Sequence, residues 1–122
     1  MQAIKENKIT MSDGQVEEAA RLFGMLSEPA RLYLLRALMA GAAPVGRLVA
    51  LTGIKQGTVS KHLGILHASR FVARRREGTQ VWYEIAEPAL FALCELMCSR
   101  IQRDVEGQIA RLGVGGPGNP EP

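Results

Sequence analysis

The sequence predicts a mainly α fold with a small β-hairpin, and three features carry that reading. A short apolar helical pattern after Pro44 meets a longer one over residues 56–68 across Gly53. Helix, Gly-containing turn and second helix make a helix-turn-helix. Two β-branched and aromatic segments follow at once, near 71–76 and 80–85, with Gly78-Thr79 between them as a hairpin turn. A long helical pattern then runs from Glu87-Pro88 to about Leu112, where Gly113 ends it. A hairpin directly behind the second helix is the wing of a winged helix-turn-helix.

The elements follow in order. Residues 1–13 form a flexible arm, with Asp13 as N-cap of a first helix over 15–26. Val16, Ala19, Ala20, Phe23 and Leu26 have the i, i+3, i+4, i+7 spacing of a buried stripe. Ser27 caps a second helix with Pro29 in its first turn, and Leu32, Leu35, Leu38 and Met39 form its buried side. Gly41 stops it. In the third helix Val45, Leu48, Val49 and Leu51 are the apolar positions, and in the fourth Val59, Leu63 and Leu66 share a face. In the second wing strand, alternation sets Val81, Tyr83 and Ile85 against Trp82 and Glu84. The tail 113–122 is almost all Gly, Pro and polar residues, too poor in apolar surface to order itself.

The chain has 122 residues, 47% of them apolar, so residues 14–112 are expected to form one domain with a modest core. No run of 18 apolar residues exists, which excludes a membrane-spanning helix. The polar start has no apolar segment of signal-peptide length, and the expected location is cytoplasmic. Two cysteines in a reducing compartment read as free thiols or ligands.

Charge names the partner. Net charge is only +3, yet from Pro29 to Arg76 there is no carboxylate among 48 residues, nine of which are Lys or Arg. Such segregation attracts a polyanion to one face. A recognition helix enters the major groove of double-stranded DNA with its N-terminal residues nearest the bases. Here these are Gln56, Thr58, Ser60, Lys61 and His62. Gln pairs with adenine, Ser and Thr bond either type of base edge, and Lys reads guanine or grips a phosphate. Backbone N–H groups at Gly57 and Thr58 suit a phosphate as well. Arg74, Arg75 and Arg76 at the end of the first wing strand are expected on phosphates or in the minor groove, with Arg75 on the opposite face from the other two. Arg47 and Lys55 are expected on the DNA backbone. A winged-helix protein-interaction module that never touches DNA is the alternative class, against which the acid-free window argues. No Ser/His/Asp set, phosphate-binding loop or carboxylate pair points to an enzyme.

The pattern resembles the ArsR/SmtB family of bacterial winged-helix repressors. Leu26-Ser-Glu-Pro-Ala-Arg-Leu32, Gln56-Gly-Thr-Val-Ser-Lys-His-Leu63, Leu66 and Phe71-Val-Ala-Arg-Arg-Arg-Glu-Gly-Thr-Gln-Val-Trp-Tyr83 carry the likeness, over about residues 16–105. The resemblance implies a homodimer joined through its first and last helices. It implies a palindromic operator and an inducer, often a metal or metalloid ion, that releases the DNA. No cofactor is implied for DNA binding itself. The family's Cys-x-Cys motif of the third helix is absent; the stretch here is Val45-Gly-Arg-Leu-Val-Ala-Leu51. The zinc pattern of its last helix also finds no match, and Arg70 stands where a small residue, usually Gly, is common.

Cys94 and Cys98 lie four apart in the last helix, which places their Cβ atoms about 5–6 Å apart on one face. A disulfide wants about 3.5–4.5 Å. Two thiolates at the wider spacing can chelate one soft ion. Ile101, Val105, Ile109 and Leu112 continue the stripe, so a partner helix would bring four thiols together, and Met97 is adjacent. Trivalent arsenic or antimony, as arsenite or antimonite, fits this donor set. Zinc and cadmium want four ligands. Redox or sulfur sensing and plain packing of two small apolar side chains are the alternatives.

Overall fold

The computed structural model describes residues 10–113, and the chain divides after Ala86 into two compact units. Residues 1–9 and 114–122, most of the expected arm and tail, lie outside the described residues.

The first unit opens with helix α1, Asp13–Leu26. Its N-cap is Ser12, not Asp13. The Ser12 hydroxyl accepts from the Gln15 amide at 3.2 Å, and the Gln15 side chain accepts from the Ser12 amide at 2.9 Å. This reciprocal box satisfies two donors where the helix cannot. Asp13 sits in the first turn, its carboxylate at the positive end of the helix. No residue of α1 is fully buried. Ala19, Leu22, Met25 and Leu26 are half-covered, whereas Val16 and Phe23 are 52% and 61% exposed. The expected stripe is therefore only partly covered, because α1 packs mainly on one neighbouring helix in this unit.

That neighbour is α2, Pro29–Leu38. Glu28 is its N-cap residue, with Pro29 at the first helical position. Ser27 instead ends α1, its hydroxyl donating to the Gly24 carbonyl at 2.8 Å. Leu34, Leu35 and Leu38 are the buried positions, and Leu32 points outward at 46% exposure. The helix turns its 34/35/38 side to the rest of the unit, which leaves Leu32 without a cover.

Two residues, Ala43–Pro44, form strand β1, which the sequence does not announce. Pro44 also precedes α3, Val45–Thr52, whose buried residue is Leu48. Gly53 ends α3 at φ 73°, a left-handed conformation that L side chains resist. Helix α4, Gln56–Ala68, matches expectation, with Val59, Leu63 and Leu66 fully buried.

Helix α4 ends on Arg70, a non-glycine residue at φ 66°. The Arg70 amide donates to the His67 carbonyl at 3.0 Å and the Phe71 amide to the Leu66 carbonyl at 2.9 Å. These two bonds define a Schellman ending, in which Gly usually takes the left-handed place. The wing follows as β2, Val72–Glu77, and β3, Gln80–Ile85, each antiparallel to its neighbour in the order β1-β3-β2. Strand β2 lies one residue later than expected, because Phe71 is occupied in closing the helix end.

The second unit is helix α5, Ala89–Leu112, closed by Gly113 at φ 72°. The Glu87 carboxylate accepts from the Ala89 amide at 3.0 Å. Ile101, Val105 and Leu112 stand out at 60%, 51% and 69% exposure, a stripe a single helix cannot cover for itself.

Candidate nucleic-acid interface

Helix α4 presents two faces of different chemistry. Val59, His62, Leu63 and Leu66 point inward. Gln56, Gly57, Thr58, Ser60 and Lys61 are exposed on the other side, and Lys55 is exposed at the N-cap. No side chain caps this helix, in contrast to the box on α1. The first-turn amides of α4 thus remain available, and they carry the positive end of the helix dipole. Arg47 on α3 is exposed too.

His62 departs from the expectation of a base contact. It is 8% exposed and belongs to the inward stripe. Its Nδ1 accepts a hydrogen bond from Arg31 Nε at 3.1 Å. The same guanidinium donates through Nη1 to the Met25 carbonyl at 3.0 Å. Burial holds the His62 pKa below its ordinary value, and the charges of Arg31 and Lys61 push the same way against Glu28. An Nδ1 that accepts this bond carries no proton, which leaves the ring proton of the neutral form to Nε2. The reason is periodicity: residue 62 lies three beyond Val59 and four before Leu66, so helix geometry turns it inward.

The wing sorts its arginines by strand register. Arg74 lies opposite Tyr83, Arg75 opposite Trp82 and Arg76 opposite Val81. Arg75 thus shares a face with Glu77, Trp82 and Glu84, and it is consumed there. Its Nε meets Glu77 at 2.8 Å, its Nη1 meets Glu84 at 3.3 Å, and its guanidinium stands 5.7 Å from the Trp82 ring centre. Hydrogen bonding to Glu77, opposed by partial burial and reinforced by both carboxylates' charges, raises its pKa. Arg74 and Arg76 are exposed on the other face and enter no ion pair among the described residues. They edge a shallow depression with Arg75, Val81 and Tyr83. The signal for this split was present in the sequence, since Glu77 stands two residues from Arg75 and alternation joins both to Glu84. Arg31, the partner of His62, carried no such signal.

In the second unit Cys94 is half-buried and Cys98 exposed, both as free thiols. Burial pushes the Cys94 thiol pKa up, and negative charge on Cys98 adds to this. Among the described residues no group of three or more His, Cys, Asp and Glu side chains comes together in a metal-binding arrangement. Cys98 also edges an apolar groove along α5 with Ile101, Val105 and Ile109. Among the described residues no helix is long and apolar enough to cross a membrane.

Comparison with known proteins bears on the family and the fold. Residues 28–74 match the model of the bacterial regulatory protein, arsR family. The biofilm growth-associated repressor of Agrobacterium fabrum is 36% identical over 94 residues, 77% of this chain and 80% of that protein. The crystal structure of AntR, an antimony-specific transcriptional repressor, superposes with a TM-score of 0.71 at 29% identity, covering 81% of this chain and 90% of that one. A homodimeric winged helix-turn-helix DNA-binding domain from Mycobacterium bovis superposes with a TM-score of 0.66 at 30% identity, over 77% and 93% of the two chains.

Proposed function

The chain belongs to the arsR family of bacterial regulatory proteins, and from that premise we propose a homodimeric repressor that binds a palindromic operator in double-stranded DNA and leaves it when a thiophilic ion binds Cys94 and Cys98. The observation that carries the DNA half is the division of α4. One side is core, and the other offers Gln56, Thr58, Ser60 and Lys61 on an uncapped helix start with no carboxylate between Pro29 and Arg76. Those side chains suit base edges, and the free amides suit a phosphate. Arg74 and Arg76 reach the flanking backbone or minor groove. Arg47 and Lys55 add phosphate contacts.

Dimerisation through α1 and α5 is supported by their uncovered apolar residues, Val16 and Phe23 on one and Ile101, Val105 and Leu112 on the other. Two recognition helices must stand about 34–36 Å apart to enter successive major grooves. A ligand that shifts α5 alters that spacing. Two thiols on one helix face suit trivalent arsenic or antimony, and the partner's equivalent helix would supply any further sulfur. Arsenite arrives as neutral As(OH)3, and each thiol that bonds to arsenic passes its proton to a departing hydroxide, which leaves as water. Two As–S bonds therefore form with no net release of protons, and affinity stays level with pH below 9.0, the ordinary thiol value.

The test is fluorescence anisotropy of the reduced protein on duplex DNA from its own upstream region. Salt-dependent binding is expected, with release by arsenite that is lost in Cys94→Ser/Cys98→Ser. Tight binding untouched by arsenite in both proteins would return the cysteines to packing.

A further inference from the structure

The part-buried contact between Arg31 and His62 joins three helices at one point. Arg31 belongs to α2, enters no ion pair among the described residues, and donates two different N–H groups across helix boundaries. One goes to the Met25 carbonyl at 3.0 Å in the last turn of α1, the other to His62 Nδ1 at 3.1 Å on α4. Met25 is one of the four terminal carbonyls that α1 leaves without a helical donor. His62 is next to Lys61 and two residues from Ser60, on the opposite side of the same helix.

The remaining packing of α4 is apolar, through Val59, Leu63 and Leu66. Apolar burial is non-directional and sets the seat of a helix better than its rotation. A hydrogen bond to a ring nitrogen is directional. Rotation matters here: with side-chain tips about 5–6 Å from the helix axis, a turn of about 20° moves them about 2 Å, enough to break a hydrogen bond to a base edge.

We infer that Arg31 and His62 are positioning residues for DNA reading, a part-buried tie that fixes the rotation of α4 against the end of α1. This rests on the proposed DNA-binding function. His62 acts through the helix and touches no base. The tie requires the neutral ring, because a protonated Nδ1 has no lone pair for Arg31. The charged groups around the ring are Arg31 on α2, Lys61 on its own helix and Glu28 at the cap of α2. Two are cations and oppose protonation, so the tie holds at neutral pH and opens in acid.

The experiment measures affinity for upstream duplex DNA by anisotropy, at pH 7.5 and 5.5, on wild type, Arg31→Met, His62→Leu and His62→Asn, each checked for helical content by circular dichroism. Asn keeps an acceptor near the place of Nδ1 and cannot titrate. At pH 7.5 we expect Arg31→Met and His62→Leu to bind about tenfold more weakly, with His62→Asn within about threefold of wild type. In acid wild type loses affinity more steeply than His62→Asn. His67, the other histidine, is common to both proteins and cancels. Wild-type affinity in Arg31→Met and His62→Leu would overturn the tie. So would a wild-type gain in acid beyond that of His62→Asn, which would mean that His62 meets phosphate directly. Wild type without salt-dependent binding would overturn the DNA reading itself, and this inference with it.

Discussion

Replacing Arg70 by Gly is expected to stabilise the protein, although it removes a side chain and adds nothing. Arg70 holds φ at 66° to close α4, and its side chain is exposed. A left-handed backbone costs an L residue about 1–2 kcal/mol. Glycine is free of that cost but loses more freedom on folding, by about 0.5–1 kcal/mol relative to alanine. The difference leaves a net gain of about 0.5–1 kcal/mol, comparable to the gains measured when backbone and residue are matched. The two bonds of the helix ending, to His67 and Leu66, use backbone amides and survive the change. For a folded chain of this size the gain corresponds to a rise in Tm of about 2–6 °C. Urea denaturation and thermal unfolding at one fixed protein concentration measure it, with Arg70→Ala as the control. Ala keeps the strain and loses only the exposed side chain, so it should stay within about 0.5 kcal/mol of wild type. The reasoning is refuted if Arg70→Gly is no more stable than wild type, or if Arg70→Ala gains as much.

The other expectations concern charge and pH. In anisotropy titrations against salt, Lys61→Ala and Arg76→Ala should each lower the slope of log affinity by about 1, one phosphate contact apiece. Arg75→Ala should leave that slope nearly intact, since Glu77 and Glu84 already balance Arg75; equal slopes for Arg75→Ala and Arg76→Ala would argue against the register-based division of the wing. The folded chain lowers the pKa of His62, so the unfolded chain takes up the proton first as pH falls. Neutral His62 therefore contributes stability that is complete above 6.5, its ordinary value, and declines as pH drops through the lower folded one. Urea midpoints between pH 7.5 and 5 should fall more for wild type than for His62→Asn, and parallel curves would count against a buried neutral ring. Arsenite affinity, followed by the loss of free thiol, should stay level from pH 6 to 8, because the Cys94 proton, held by a raised pKa, leaves with an arsenite hydroxide as water; a rise of about tenfold per pH unit would mean net proton release and argue against this exchange.

Where a short stretch of chain decided the structure, the sequence was enough. Helix α4 was legible to the residue, because Val59, Leu63 and Leu66 repeat at helical spacing between Gly53 and the β-rich wing. The hairpin was legible because Gly78 marks a turn that needs a positive φ, observed at 63°. The carboxylate-free window from Pro29 to Arg76 pointed to a polyanion without any coordinates. Periodicity could not say which side of a helix would find a neighbour. It aimed Leu32 inward where the fold buries Leu34, and it assumed a cover for Val16 and Phe23 that the first unit does not supply. The pairing of Ala43–Pro44 with Trp82 and Tyr83 was invisible, since two residues hold no period and their partners lie some forty positions away. The site shows the same boundary. Composition and motif named the basic residues, but only tertiary structure decided which stay free. Strand register placed Arg75 between Glu77 and Glu84 while leaving Arg74 and Arg76 open. Packing of α2 against α4 brought Arg31 to His62 and turned an expected DNA contact into a buried one. Local pattern follows from bonded geometry and nearest neighbours, whereas the use of a charge depends on what the rest of the chain sets beside it.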